Sequence, residues 1–341
     1  MNPNMAYHAL ETKIATKKGR ILNKSTWEKF LDSPTVDALI NHLKENEEFG
    51  KAFKDIEISN LDRNNLETVL EKFKTLEVEN LLHYFSGPYK EFIKAVLVEG
   101  EIKDLSLILR KLSREESLEG IEQRFVHSKI FTNLDFDDLL TSKNIEQFIQ
   151  KLKGTLYYNS LRNLTKEIAI QREFHIEMKM YVALYKVICE KASKLKKEDM
   201  KAAIEIIGLN IDLLNIQWIY RALKFYQISP EEIFIYSLEG GRTLGYNRLR
   251  KLCYSTLDEF KKLTNDYLRY DFFKNAADDI NVVIDSYMLN YFKKNNYNNI
   301  GTALAFIYLL NIIVNDLTSV TEGIQYQVPK EKLKEYLAYK I

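Results

Sequence analysis

The stretch DLLNIQWIYRA (Asp212–Ala222) decides the fold class of the chain. It lies in a segment whose apolar residues recur every three or four positions, which is the period of one face of an α-helix. These apolar residues are Ile211, Leu214, Trp218, Ala222 and Phe225. The same spacing returns elsewhere, as in Leu66, Val69, Phe73 and Leu76, whereas the strict alternation typical of strands does not persist. We therefore predict an all-α protein.

Few residues interrupt this pattern, because no proline occurs between Pro88 and Pro230. Two segments have the Ser-x-x-Glu spacing with which a serine and a glutamate cap the start of a helix. They are Ser229–Glu232, with proline at the first helical position, and Ser113–Glu116. We predict that a helix begins at each.

Composition excludes several classes of protein. The 49 basic and 48 acidic residues leave a formal charge of +1, without the positive excess that binding to nucleic acid requires. Cys189 and Cys253 form no metal-binding or disulfide pattern, so we predict core thiols in a reducing compartment. The first residues lack the apolar core of a signal peptide. The apolar stretch Ile300–Val314 falls short of the ~20 residues that cross a bilayer, and we predict a buried helix there.

A long-range repeat gives the chain its organisation. Asp104 is followed six residues later by Arg110, and Asn215, 111 residues after Asp104, is followed at the same distance by Arg221. A weaker third copy begins at Asp316 and has a glutamate in the arginine position. We predict three helical units, 1–125, 126–235 and 236–341, in a pseudo-three-fold cone or funnel whose repeated polar residues face a shared cavity.

The repeated arginines are predicted to be buried and to make contacts beyond their own helix. Residues six apart lie on roughly opposite sides of a helix, so Asp104 cannot pair with Arg110, nor Asn215 with Arg221. A guanidinium group binds a carboxylate through two parallel hydrogen bonds. The partner is either a residue of a neighbouring unit, in a structural ion pair, or a bound protein.

Catalytic chemistry is not indicated. The five histidines are scattered and form no Glu-x-x-His or His-Glu-x-x-His pattern. The acidic runs Asp135–Asp138 and Asp278–Asp279 lack the remaining ligands of a magnesium-diphosphate site, so we predict that they cap helices or face solvent. No cofactor or metal is predicted. The alternatives that remain are an all-α metal-dependent enzyme acting on a lipid diphosphate and a generic helical scaffold.

Three segments together resemble one known family. The stretch Asp212–Ala222, the turn Ser229–Ile233 and the stretch IGTALAFIYL (Ile300–Leu309) resemble the C subunit of V/A-type ATPases, which is called the d subunit in eukaryotic vacuolar enzymes. The resemblance extends from Tyr7 to Tyr339. It implies a helical funnel of three similar units at the cytoplasmic face of the membrane, without a transmembrane helix.

The resemblance also implies a function and its residues. Members of the family couple the rotating central shaft to the membrane rotor ring without catalysis, in enzymes that transport protons or sodium ions. Asp104, Asn215 and Asp316 match the family's repeated Asn-like position, and Arg110 and Arg221 match its arginine position. The third copy departs from the family pattern at Glu322 and at Ile313, where an acidic residue is usual.

Overall fold

The computed structural model describes residues 3–53, 63–164, 173–226, 228–274 and 279–340, and no strand occurs in those ranges. The all-α prediction is confirmed. The α-helices are α1 (Pro3–Ile21), α2 (Lys24–Leu31), α3 (Val36–Glu45), α4 (Arg63–Leu81), α5 (Gly87–Leu97), α6 (Glu99–Ser113), α7 (Phe136–Leu140), α8 (Ile145–Lys151), α9 (Tyr158–Leu161), α10 (Glu173–Ala192), α11 (Lys197–Phe225), α12 (Pro230–Ile235), α13 (Tyr246–Cys253), α14 (Leu257–Leu268), α15 (Ile280–Lys294), α16 (Ile300–Gln325) and α17 (Lys330–Leu333).

The chain divides into two compact units. The first comprises Met1–Phe85, Lys196–Ile206 and Thr264–Ile341, and the second comprises Ser86–Leu195 and Ile207–Leu263. Helix α11 contributes residues to both. The three units expected from the repeat stay a prediction.

Helix α16 forms the core of the first unit, where it packs against α4, α1 and α3. The Asn299 side chain caps its start by accepting a hydrogen bond from the Gly301 N–H at 2.8 Å. The predicted buried helix at Ile300–Val314 is confirmed, but the prediction that it is too short to cross a bilayer is wrong, because the helix continues to Gln325. By length and composition α11 and α16 both qualify as candidate membrane spans, although 72% of each apolar window is buried within the protein.

Helix α10 has the corresponding place in the second unit, where it packs against α5, α6 and α9. Tyr181 on α10 meets Trp218 on α11 edge to face, with 5.7 Å between the ring centroids. Such aromatic contacts add directional packing to the apolar core.

Of the two predicted helix starts, one is confirmed and one is wrong. Ser229 caps α12 by accepting a hydrogen bond from the Glu232 N–H at 3.2 Å. Ser113 instead ends α6. Glu115 adopts the left-handed conformation, with φ of 56°, and the Glu116 N–H reaches back to the Lys111 carbonyl at 2.9 Å. This backbone pattern closes a helix at its C-terminus, so the Ser-x-x-Glu spacing here does not begin one.

Candidate functional site

Asp104, Asn215 and Asp316 are almost completely buried on α6, α11 and α16, with exposed fractions of 1%, 0% and 2%. The prediction that these side chains face a shared cavity is therefore wrong, since protein surrounds each of them. A buried polar group is tolerated when it is hydrogen-bonded. Each of the three binds the backbone of a later segment of the chain.

Asp104 binds the segment that returns after α6. Its carboxylate accepts hydrogen bonds from the backbone N–H of Val126 at 3.0 Å and of His127 at 2.8 Å. The Nδ1 atom of His127 lies 2.7 Å from the same carboxylate, and the imidazole ring stacks on Phe136. Asp104 thereby joins the middle of α6 to residues 22 and 23 positions further along the chain.

Asn215 makes the corresponding contact from α11 with an amide. Its Nδ2 donates to the Leu238 carbonyl at 2.9 Å, and its Oδ1 accepts from the Leu238 N–H at 2.8 Å. One amide therefore satisfies both backbone groups of one residue, 23 positions later in the chain.

Asp316 makes the same type of contact as Asp104, with a carboxylate that accepts from two successive backbone N–H groups. Its two carboxylate oxygens accept hydrogen bonds from the backbone N–H groups of Ala338 and Tyr339, each at 2.8 Å. Burial raises the pKa of Asp316 to about 7, and the nearby Asp285 carboxyl raises it too, against the opposing effects of the two N–H groups and of Lys340.

We call each helix residue and the segment that it binds an anchor: the Asp104 anchor, the Asn215 anchor and the Asp316 anchor. All three bind a segment 22 or 23 residues ahead. The loop between helix and segment also begins alike in two of them, since Glu115 and Gln327 both have positive φ values, 56° and 53°, eleven residues after Asp104 and Asp316. This geometry identifies the three positions as copies of one local motif.

A second buried acid lies three residues before two of the anchors, and sequence reasoning did not identify it as a site residue. Glu101 accepts hydrogen bonds from Thr132 Oγ1 at 2.6 Å and Tyr157 OH at 2.9 Å. Asp212 accepts from the backbone N–H groups of Thr243 at 2.7 Å and Leu244 at 3.0 Å. The signal was present in the sequence, because Glu101 and Asp212 repeat with the same 111-residue separation as the anchors.

Both acids lie in close-packed surroundings, Glu101 on α6 and Asp212 on α11. Burial raises the pKa of Glu101, and it raises that of Asp212 to about 6 despite the two N–H donors. A Cβ atom on Gly241 would overlap Asp212 Oδ1, so a larger residue at that position must displace the Asp212 carboxylate. In the third copy the position of this second acid, three residues before Asp316, is taken by Ile313, which is fully buried and apolar.

The repeated arginines are exposed, so the prediction that they are buried is wrong. Arg110 and Arg221 nevertheless line one pocket, of about 130 Å³, in the second unit. The Arg221 guanidinium lies 5.7 Å from the centre of the Phe174 ring, which in turn stacks on Tyr226. Arginine over an aromatic face is a favourable contact that needs no burial of the charge.

Glu177 supplies the negative charge of this pocket. Its side chain reaches solvent, yet the surrounding protein raises the pKa of the carboxyl, while Arg221, Lys103 and Arg110 lower it. Both repeated arginines therefore act electrostatically on one carboxyl group of α10. Sequence reasoning missed Glu177 because nothing in its own spacing marks it.

The third copy does not join this pocket. Glu322, in the arginine position, is half-buried on α16 in the first unit. Its opposite charge means that the Asp316 anchor has no counterpart to Arg110 or Arg221.

The acidic runs behave as helix caps. Asp135 accepts a hydrogen bond from the Asp138 N–H at 2.9 Å at the start of α7, and Asp279 caps α15 through the Asn281 N–H at 2.8 Å. Asp278 lies outside the described residues. Within the described ranges, no group of three or more His, Cys, Asp or Glu side chains is placed to hold a metal ion.

Comparison with known proteins gives one family. The model of the ATP synthase (C/AC39) subunit family matches residues 10–336. Among curated proteins, the chain is 24% identical to the C subunit of the A-type ATP synthase of Archaeoglobus fulgidus over 97% of this chain and 95% of that protein. It is also 24% identical to the A-type ATP synthase C subunit of Pyrococcus horikoshii, over 97% and 90%, and to that of Methanosarcina mazei, over 75% and 68%.

Proposed function

Because the chain belongs to the ATP synthase (C/AC39) subunit family, we propose that it is the central-stalk subunit that couples the rotating shaft to the membrane rotor ring. Membership makes it a structural, non-catalytic subunit of a membrane-bound complex, with partners in that complex. Beyond family membership, we propose that the chain lies on the cytoplasmic face of the membrane, between shaft and ring, and that it serves proton or sodium transport.

The anchors are the observation that carries this proposal. A coupling subunit transmits torque, so its helices must keep their positions under load. Each anchor ties the middle of a helix to a segment 22 or 23 residues away through two or more backbone hydrogen bonds in a buried place. Hydrogen bonds shielded from water hold geometry firmly, since breaking one strands an unsatisfied polar group.

The repetition of the anchors supports the predicted architecture. Three anchors of like geometry favour three related units, 1–125, 126–235 and 236–341, around a central axis. In that arrangement Arg110 belongs to the first predicted unit, and Arg221 and Glu177 belong to the second. Their shared pocket supports the ion-pair alternative, in which the arginines join neighbouring units.

The acidic runs give the enzyme alternative no support in the described residues. Asp135 and Asp279 are engaged as helix caps, and no group of three or more His, Cys, Asp or Glu side chains in the described ranges is placed to hold a metal ion. A magnesium-diphosphate site requires carboxylates that converge on open space.

Reconstitution tests the coupling role. The complex is assembled from its own subunits with and without this chain, and ATP hydrolysis and ion transport are measured in sealed vesicles. We expect the complex without the chain to hydrolyse ATP but not to transport ions, because shaft and ring are no longer joined. Undiminished transport without the chain would refute the proposal.

A further inference from the structure

The pocket that Arg110 and Arg221 line contains hydrogen-bond donors that no described residue uses. The Arg221 guanidinium lies over the Phe174 ring, and its N–H groups have no hydrogen-bond or ion-pair partner in the part of the chain that the structure describes. A guanidinium is a planar fork of donors without an acceptor. One that lies over an aromatic ring keeps these donors along its edge, where a group with two acceptor oxygens can bind.

Glu177 does not engage these donors. Its carboxyl lies in the lining of the same pocket, but it forms no hydrogen bond or ion pair within the described ranges. The surrounding protein raises the pKa of this carboxyl, and the attraction of Arg221, Lys103 and Arg110 does not offset that effect. A carboxylate in direct contact with a guanidinium would have a lowered pKa. The acceptor that fits the edge of Arg221 is therefore not Glu177.

The described side chains of the pocket carry an excess of positive charge. The lining has two guanidinium groups and one carboxyl group, that of Glu177. Outside the lining, Lys103 and Glu99 also act on Glu177 with opposite signs, and Glu99 accepts a hydrogen bond from the Tyr181 hydroxyl at 3.2 Å. One added carboxylate balances this excess, whereas a phosphate group with two negative charges would exceed it.

The pocket is open and has the size of a side chain. Arg110 and Arg221 are exposed, and Tyr226 is 45% exposed. Its volume of about 130 Å³ is smaller than the roughly 300 to 1,000 Å³ of sites for cofactors and drug-sized ligands. The rings of Phe174 and Tyr226, stacked with 5.2 Å between their centroids, add an apolar wall against which methylene groups can pack.

We propose that this pocket binds the carboxylate of an aspartate or glutamate side chain from another subunit of the same complex. The inference rests on the proposed function, which supplies partner subunits. The carboxylate accepts parallel hydrogen bonds from Arg221, Arg110 shares its charge, and its methylene groups contact the aromatic wall. This contact is compatible with arginines that join the predicted units, because Glu177 is in direct contact with neither guanidinium.

Photocrosslinking in the assembled complex locates the partner. A photoreactive phenylalanine analogue replaces Tyr226, and a control chain carries it at Tyr254, which is equally exposed, at 45%, and lies beside Arg250 outside the pocket. We expect the analogue at Tyr226 to crosslink to another subunit beside an aspartate or glutamate, in a segment that the control does not label. No crosslink, or a crosslink to lipid or to a segment without an acidic residue, overturns the proposal.

A double-mutant cycle provides the second test. Arg221→Gln removes the guanidinium, and the crosslinked aspartate or glutamate of the partner is replaced by its amide. The affinity of each chain is measured for the complex assembled without this subunit. We expect each single substitution to weaken association about tenfold and the double variant to weaken it no further. Arg250→Gln is the matched control, because Arg250 is also an exposed arginine over an aromatic ring, and we expect it to leave association unchanged.

The outcomes separate this inference from the proposed function. Urea denaturation is expected to show that Arg221→Gln remains folded, since the side chain is exposed. Unchanged association of Arg221→Gln, or additive effects in the cycle, overturns the carboxylate site while the coupling role stands. If the unmodified chain does not enter the complex at all, the proposed function itself fails.

Discussion

The Asn215 anchor and the Asp316 anchor bind the returning chain with different chemical groups. Asn215 donates to one carbonyl and accepts from one N–H of the same residue, while Asp316 accepts from the N–H groups of two successive residues. The amide is neutral at every pH, whereas the buried carboxyl titrates with a pKa of about 7. One motif therefore exists in a pH-independent form and in a pH-sensitive form.

The surroundings of the two anchors differ as well. The segment bound by Asp316 is held again by Tyr339, whose hydroxyl donates to the Leu22 carbonyl at 2.7 Å and whose ring meets Trp27 edge to face. Leu238, bound by Asn215, has both of its backbone groups satisfied by that one side chain. We expect loss of the asparagine to be the more damaging change.

The largest effect is expected from Asn215→Leu. The substitution keeps the approximate volume but leaves the N–H and the C=O of Leu238 buried without partners, which costs about 3 to 5 kcal/mol in the free energy of unfolding. Urea denaturation measures the loss, and hydrogen exchange at the Leu238 amide shows whether the segment opens locally. Protection of that amide at the wild-type level would contradict the account.

The pH dependence of the Asp316 anchor comes next. The pKa is 3.8 for the unperturbed group and about 7 in the folded protein, so the folded state binds the proton more tightly. This contribution to stability is complete below pH 4 and is lost as the pH rises through 7. We expect the free energy of unfolding to fall by about 1 to 3 kcal/mol between pH 5 and pH 8 from this group.

An exchange of the two anchor residues isolates that effect. Asp316→Asn leaves one of the N–H groups without an acceptor, which lowers stability at every pH, but it removes this group's contribution to the pH slope. Asn215→Asp is expected to make the free energy of unfolding fall with rising pH in the same way, because only the protonated carboxyl donates to the Leu238 carbonyl. An unaltered slope in Asp316→Asn would assign the pH dependence to other carboxyls, such as Asp212.

Gly241→Ala tests the second acid of the motif, with a smaller expected effect. The new methyl group would overlap Asp212 Oδ1, so the bonds from Asp212 to Thr243 and Leu244 must lengthen, at about 1 to 2 kcal/mol. Gly245→Ala is the matched control, because its Cβ meets nothing within 4 Å and its φ of −67° suits alanine. Equal effects of the two substitutions would rule out the steric explanation.

The sequence predicted the features that depend on spacing along the chain, and it did not predict those that depend on contacts between distant segments. Helical periodicity and the anchor positions were readable, because both depend on spacing within the chain. The burial of Asp104 and Asn215 was not readable, since their partners are backbone groups that leave no trace in residue type. The exposure of Arg221 and its contact with Phe174 depend on how α10 packs, which no spacing along α11 encodes.

Arg221→Ala is expected to have the smallest effect on stability. Had the guanidinium been buried in an ion pair, as the repeat suggested, its loss would cost about 1 to 3 kcal/mol. It is exposed and contributes a cation–π contact with Phe174 and an attraction to Glu177, so we expect less than about 1 kcal/mol. A double-mutant cycle with Glu177→Gln, measured by urea denaturation, separates the two contributions. Arg221→Lys is the control that keeps the charge and loses the planar group. A loss of more than about 2 kcal/mol in Arg221→Ala would show that this arginine bears on the fold as strongly as the buried anchors do.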